Sequence, residues 1–225
     1  MIHRILMVAV FAGFAAGVAV TAMQAISVLP LIEKAERIEM GLPLDEPAAT
    51  PSEDRTTDPT RFSGTLMANV LTGVGFGLLL VAGYAMAGVR IDLWRGLLWG
   101  LGGFLAVALL PAISLPPEPP GAPGVPLAAA RTWWLTTMAL GAAALLMLAY
   151  ARPWPFKVLA VALLVAPHIY GAPQPAGAMD PALAEMAGDF AAASLTSTAV
   201  FWSVLGAVSG ALYPRLAGGG ATPPT

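Results

Sequence analysis

The chain has 225 residues, 57% of them hydrophobic and only 11% charged, with a net charge of −2 and no cysteine. A soluble domain carries about 25% charged residues, so this composition excludes a soluble globular protein and points to an integral membrane one. The charge balance gives no nucleic-acid surface, and the lack of thiols excludes disulfides, thiolate metal sites and cysteine catalysis.

A membrane-spanning helix needs roughly 20 apolar residues. The first such run covers residues 5–29. Arg4 and the small residues near Thr21 also suit a signal peptide. The run is longer than a usual signal core, however, and its helical pattern continues past Pro30 through Glu33, Glu36 and Glu39, so an uncleaved span is expected. Residues 41–61 are rich in Pro, Thr, Asp and Glu and are predicted to form a mobile loop. Further apolar runs cover 66–89, 93–113, 132–151, a short 156–169 ending at Pro167-His168, and 190–213. None alternates polar and apolar residues as a strand would. The expected fold is an all-α polytopic membrane bundle, a single domain over 1–217 with a flexible tail at 218–225. It has about six transmembrane helices, or five if the first or the short fifth run does not count.

Lys and Arg placement puts the N- and C-termini in the cytoplasm. Arg4, Arg90, Arg95, Arg152, Lys157 and Arg215 are then inside, and of the 13 acids all but Asp92 lie outside. An acidic outer face concentrates cations at the entrance, although a solvated polar loop has the same composition.

Leu105-Ala106-Val107-Ala108-Leu109-Leu110 recurs as Leu159-Ala160-Val161-Ala162-Leu163-Leu164, and Gly121-Ala122-Pro123 recurs as Gly171-Ala172-Pro173. The recurrence suggests tandem helix hairpins. Glycines pair at four-residue spacing, as Gly13/Gly17, Gly73/Gly77, Gly96/Gly100 and Gly206/Gly210. Such pairs let helix backbones approach closely, in a compact bundle or a homo-oligomer. Trp94, Trp133, Trp134 and Trp154 lie near span ends, where an aromatic belt would meet the lipid headgroups.

No enzyme constellation is present, and no single span carries a pair of polar residues deep within it. The ionisable groups sit at helix ends, which suits ion capture better than covalent catalysis. His168 follows Pro167 at the end of a short helix, where an imidazole either ligates a transition metal or caps terminal carbonyls. Glu118 is displayed on a stiff loop, Leu115-Pro116-Pro117-Glu118-Pro119-Pro120-Gly121, as a cation contact or a solvated acid. Glu33 and Glu36, three apart, share a helix face. These four are the candidate metal contacts.

Several motifs taken together resemble the CbtA family, the proposed membrane subunit of a bacterial cobalt transporter. They are Pro30-Leu31-Ile32 with Ala35-Glu36, the Leu115-Pro116-Pro117-Glu118 loop ending in Pro120-Gly121, Arg131 with Trp133-Trp134, and Pro167-His168 with Gly171-Ala172-Pro173. Pro119 and Thr132 depart from the family pattern, which is usually described with five spans. The resemblance implies a multi-pass protein of the bacterial cytoplasmic membrane, associated with cobalamin biosynthesis. It also implies a small CbtB-like partner with one membrane helix and a His-containing segment. Cobalt would be the transported substrate, with no tightly bound cofactor. The rival readings are a non-transporting membrane scaffold and a transporter of nickel or another small cation.

Overall fold

The computed structural model describes residues 2–42 and 59–217. Most of the acidic loop expected at 41–61, and the tail at 218–225, lie outside the described residues. Among the described residues the chain is helical, with no strand. Seven helices follow in order: α1 (Ile2–Ser27), α2 (Leu29–Glu39), α3 (Pro59–Ala87), α4 (Leu93–Ala112), α5 (Leu127–Tyr150), α6 (Trp154–Tyr170) and α7 (Pro181–Ala217).

Five of these, α1, α3, α4, α5 and α7, are long and apolar enough to cross a membrane. Helix α6, the short fifth run, has 17 residues, or about 25 Å at 1.5 Å per residue against a hydrocarbon core of about 30 Å. Five helices thus reach full span length, and α6 falls about 5 Å short of the core thickness, a mismatch that local thinning of the bilayer absorbs. Large apolar side chains point outward all along these helices, including Phe11, Leu79, Leu98 and Val158. Contiguous exposure of that kind needs lipid around it, and the chain is a helical membrane bundle.

The helices group into two compact units. The first contains α1 as far as Ala25, α3, the start of α4 as far as Leu101, and α7 from Ser197 onward. On α1 the buried stripe is Val8, Ala9, Ala12, Gly13, Ala16, Gly17, Val20 and Thr21, a four-residue repeat of small side chains. It meets α3 where Gly13 lies against the backbone of Gly73 and Val74, Gly17 against Val70, and Gly77 against Ala9. A second close crossing joins α4 to α7, with Gly96 against Gly206 and Gly210, and Gly100 against Trp202 and Gly206. In lipid there is no hydrophobic gain from helix association, so backbone proximity and its dispersion energy take over that role.

Polar groups in this unit meet across helices, not along one span. Asn69 of α3 donates to Thr21 Oγ1 at 2.9 Å and to Gln24 Oε1 at 2.8 Å, both on α1. Tyr84, wholly buried, shares a 3.0 Å hydrogen bond with Ser209 and packs edge-on against Trp99 and Tyr213.

The second unit contains α2, the rest of α4, α5, α6 and the first part of α7. Val28 separates α1 from α2, and Pro30 occupies the first turn of α2, where a missing N–H costs nothing. Ala35 of α2 packs with Leu183 and Met186 of α7, flanked by Leu31, Ile38 and Met179. Helix α7 starts at Pro181, nine residues before the apolar run, because Asp180 caps it by accepting the Ala182 N–H at 2.8 Å.

The two copies of the repeated hexapeptide fold differently. Residues 159–164 are regular α-helix, whereas Leu105–Leu109 forms a π turn in which the Leu110 N–H reaches the Leu105 carbonyl. The cause is Pro111, directly after the first copy. It has no N–H for the Val107 carbonyl and its ring would clash there, so the turn widens. Trp134 of α5 supplies the missing donor, its Nε1 lying 2.8 Å from the Val107 carbonyl. Trp133 similarly donates to the Pro111 carbonyl at 3.2 Å. The adjacent tryptophans thus serve the irregular stretch of α4, and buried Trp133 is not a headgroup anchor. Trp94 and Trp154 remain exposed. Trp134→Phe keeps the ring but strips the Val107 carbonyl of its donor. It is expected to destabilise the protein by about 1–2 kcal/mol, read as a lower melting temperature in detergent and faster amide exchange after residue 105.

Candidate functional site

All four candidate metal contacts, His168, Glu118, Glu33 and Glu36, fall in the second unit, and all eight paired glycines fall in the first. His168 lies in the last turn of α6. That helix ends because Gly171 takes φ 97°, a conformation closed to side chains, while its N–H returns to the Pro167 carbonyl at 3.0 Å. Gly121, its counterpart in the other Gly-Ala-Pro, is also at positive φ, 80°.

The imidazole sits among α4, α5 and α6. Nδ1 is 2.8 Å from Ser114 Oγ, just past the end of α4. Trp133 of α5 meets the ring edge-on, with centroids 5.8 Å apart. Its indole is itself tied to the Pro111 carbonyl, so the imidazole packs against a fixed surface. The ring therefore engages Ser114 through Nδ1, not the terminal carbonyls a capping histidine would take. Nε2 is buried and has no hydrogen-bond partner. An orphaned buried polar atom costs about 1–3 kcal/mol, so native structures keep few of them without a reason. With the proton on Nδ1 and Ser114 accepting it, Nε2 presents a lone pair, the arrangement a metal-ligating histidine takes.

Another buried polar atom without a partner lies in the same unit. Thr137, only 2% exposed, has an unpartnered Oγ1. It is one turn along α5 from Trp133, on the same face. Next on that stripe is Gly141, which faces Leu110 and Ala106 of α4.

Glu118 is half-buried on the loop between α4 and α5 and is engaged by no hydrogen bond or ion pair among the described residues. The loop is held by a turn from the Ala122 N–H to the Pro119 carbonyl, with Pro119 buried. At Gly121 it passes Glu39 of α2 and Leu183 of α7, whose side chains lie at van der Waals distance from where a Cβ would stand. The loop thus runs beside the acidic helix α2. Glu33 and Glu36 are half-buried there and already interact with neighbouring groups, so neither is a free carboxylate. Among the described residues no three His, Cys, Asp or Glu side chains gather around one point. The structure brings the loop of Glu118 alongside α2 and sets His168 with Ser114 and Trp133, but it does not assemble the four candidates into one closed ligand cage.

Sequence reasoning passed over Ser114, Thr137 and Asn69. Ser114 had a signal, being a hydroxyl between an apolar span and the proline loop, four residues before Glu118. Thr137 and Asn69 are single polar residues within apolar helices, and only the packing shows what they meet.

The described residues thus form a helical membrane bundle with one buried imidazole nitrogen left open. The comparison with protein families makes this specific. The family model described as a probable cobalt transporter subunit (CbtA) matches residues 2–214, nearly the whole chain, and the chain belongs to that family. No curated protein and no solved structure matches it.

Proposed function

We propose that this chain is the membrane subunit that carries divalent cobalt inward across the bacterial cytoplasmic membrane, in association with cobalamin biosynthesis. The observation that carries the reading is the family match along residues 2–214. The chemistry at His168 supports it. A neutral imidazole suits borderline divalent ions, cobalt, nickel, zinc and copper, over magnesium or calcium. Under the topology with cytoplasmic termini, in which α6 crosses as a short sixth span, Glu33, Glu36, Glu118 and His168 share the outer side. The acids gather cations there, and the ion exchanges part of its water shell for imidazole.

One imidazole with neighbouring oxygens is an incomplete shell. Water and a partner supply the rest, and a small single-span CbtB-like subunit with a His-containing segment fits that need. An incomplete shell also suits transport, because a closed cage would hold the ion. The sequence carries no nucleotide-binding loop, so the driving force is the membrane potential, an ion gradient or the partner. At 100 mV a divalent cation gains about 4.6 kcal/mol on moving inward, from about 2.3 per charge.

The test is a metal-competition uptake assay in cells expressing the chain with its partner. Radioactive cobalt is expected to accumulate faster than in empty cells, with competition from excess nickel and little from magnesium. Accumulation no faster than in control cells would leave the scaffold reading standing, and stronger competition by nickel than by unlabelled cobalt would reassign the ion.

A further inference from the structure

We propose that Ser114 and Thr137 are further members of the His168 site: Ser114 as the residue that fixes the imidazole tautomer, and Thr137 as an oxygen contact for the ion. The proposal deepens the transport reading and rests on His168 meeting the ion.

The Ser114 assignment follows from the 2.8 Å contact to Nδ1. A ligating histidine needs its other ring N–H held by an acceptor, and Ser114 Oγ is the acceptor in place. Nδ1–H donates to Ser114, and Nε2, buried and without a partner, faces the site with its lone pair. Trp133 packs edge-on against the same ring.

The Thr137 assignment follows from a contrast within the chain. A helical threonine shut away from solvent can satisfy its hydroxyl on the carbonyl four residues back. Thr21 does so on Gly17 at 2.8 Å, and Thr132 on Ala128 at 2.9 Å. Thr137 does not, although it is more deeply buried than Thr132. Its oxygen lies on the stripe of α5 that carries Trp133, the residue against which the imidazole packs, about 5.4 Å further along the helix. Trp133 links the two unpartnered polar atoms, being packed against the imidazole and one helical turn from Thr137, and an imidazole nitrogen with a hydroxyl oxygen suits a partly hydrated divalent transition-metal ion. The hydroxyl is a neutral, weak ligand, so it guides the ion past His168 without trapping it.

The test uses the full chain in detergent with His3→Gln as background. The chain has two histidines, so this leaves His168 as the one imidazole. Nitrogen NMR of the metal-free protein is expected to show Nδ1 protonated and Nε2 bare. Ser114→Ala should give mixed tautomers, and Ser114→Thr should restore the single one. Titration with Co²⁺, read by visible absorption, should weaken about 10- to 100-fold in Ser114→Ala. It should also weaken in the isosteric Thr137→Val, with the tautomer unchanged. A protonated Nε2 in the starting protein overturns the proposal. So does unaltered Co²⁺ affinity in both Ser114→Ala and Thr137→Val while His168→Ala abolishes binding, a result that keeps His168 as the ligand. Full Co²⁺ binding in His168→Ala overturns the underlying site assignment instead.

Discussion

Gly206→Leu is expected to unfold the α4–α7 crossing and with it the first unit. A Cβ at residue 206 would press into the Gly96 carbonyl oxygen and stand 2.8 Å from the Gly100 Cα. These are backbone atoms of a neighbouring helix, which cannot rotate away as the end of a side chain can. The relation is reciprocal, since a Cβ at Gly96 meets the Gly206 carbonyl and Gly210, and one at Gly100 meets Trp202 and Gly206. Relief therefore requires the helices to separate along two turns, which breaks the packing that replaces the hydrophobic effect within lipid. Overpacking in a well-filled core costs about 1–3 kcal/mol when side chains can shift, and about 3 kcal/mol or more is expected here. The measurement is the melting temperature and monodisperse fraction in detergent. Gly75→Leu is the control, because residue 75 has open space within 4 Å and the same loss of glycine from a helix. Equal melting of the two variants would mean that the crossing is not made by these glycines.

The four-residue spacing of the glycines was visible in the sequence, because close helix contact in a membrane has few chemical solutions and small residues one turn apart are the commonest. The partner of each pair was not visible. Gly13 meets Gly73, with Gly17 against Val70 and Gly77 against Ala9, whereas Gly96/Gly100 faces Gly206/Gly210, and nothing in the spacing distinguishes that from other pairings. Span existence was equally legible, since length and hydropathy alone decide it. Boundaries were less so. The start of α7 was missed because an apolar window looks for hydrophobic residues, whereas the helix begins at an Asp-Pro cap among Glu185 and Asp189. The π turn in α4 was missed for a different reason. The same hexapeptide occurs twice, and only the proline that follows the first copy, together with the distant Trp134 that rescues Val107, separates the two outcomes. The candidate site was half legible. His168 stood out because it follows Pro167 at the end of a short apolar run and imidazole ligates transition metals, but the tie to Ser114 spans 54 residues and depends on how α4 and α6 pack.

The second large effect is expected in uptake. His168→Ala should cut cobalt uptake by more than tenfold at unchanged membrane abundance. Loss of a residue that merely orients a ligand costs about 10- to 100-fold in metal affinity, and loss of the ligand itself costs at least as much. Stability should change little, because the lost contacts to Ser114 and Trp133 are offset by removal of a buried, unsatisfied nitrogen. That opposition, function lost and fold kept, distinguishes an ion contact from a histidine that serves the fold alone, whose removal would lower both. Glu118→Gln should have a smaller effect. Its carboxylate is half-exposed on a loop, where a unit charge acting on a divalent ion about 4 Å away through water is worth roughly 2 kcal/mol unscreened, which physiological salt cuts to about 1.3 kcal/mol, or a little under tenfold. The Glu118 effect should shrink as ionic strength rises, since salt screens exposed charges, while the His168 effect should not, because ligation by a neutral nitrogen is not screened. Uptake left intact by both substitutions would remove His168 and Glu118 from the ion's path, and a salt-sensitive His168→Ala defect would recast the imidazole as part of the electrostatic entrance rather than a ligand.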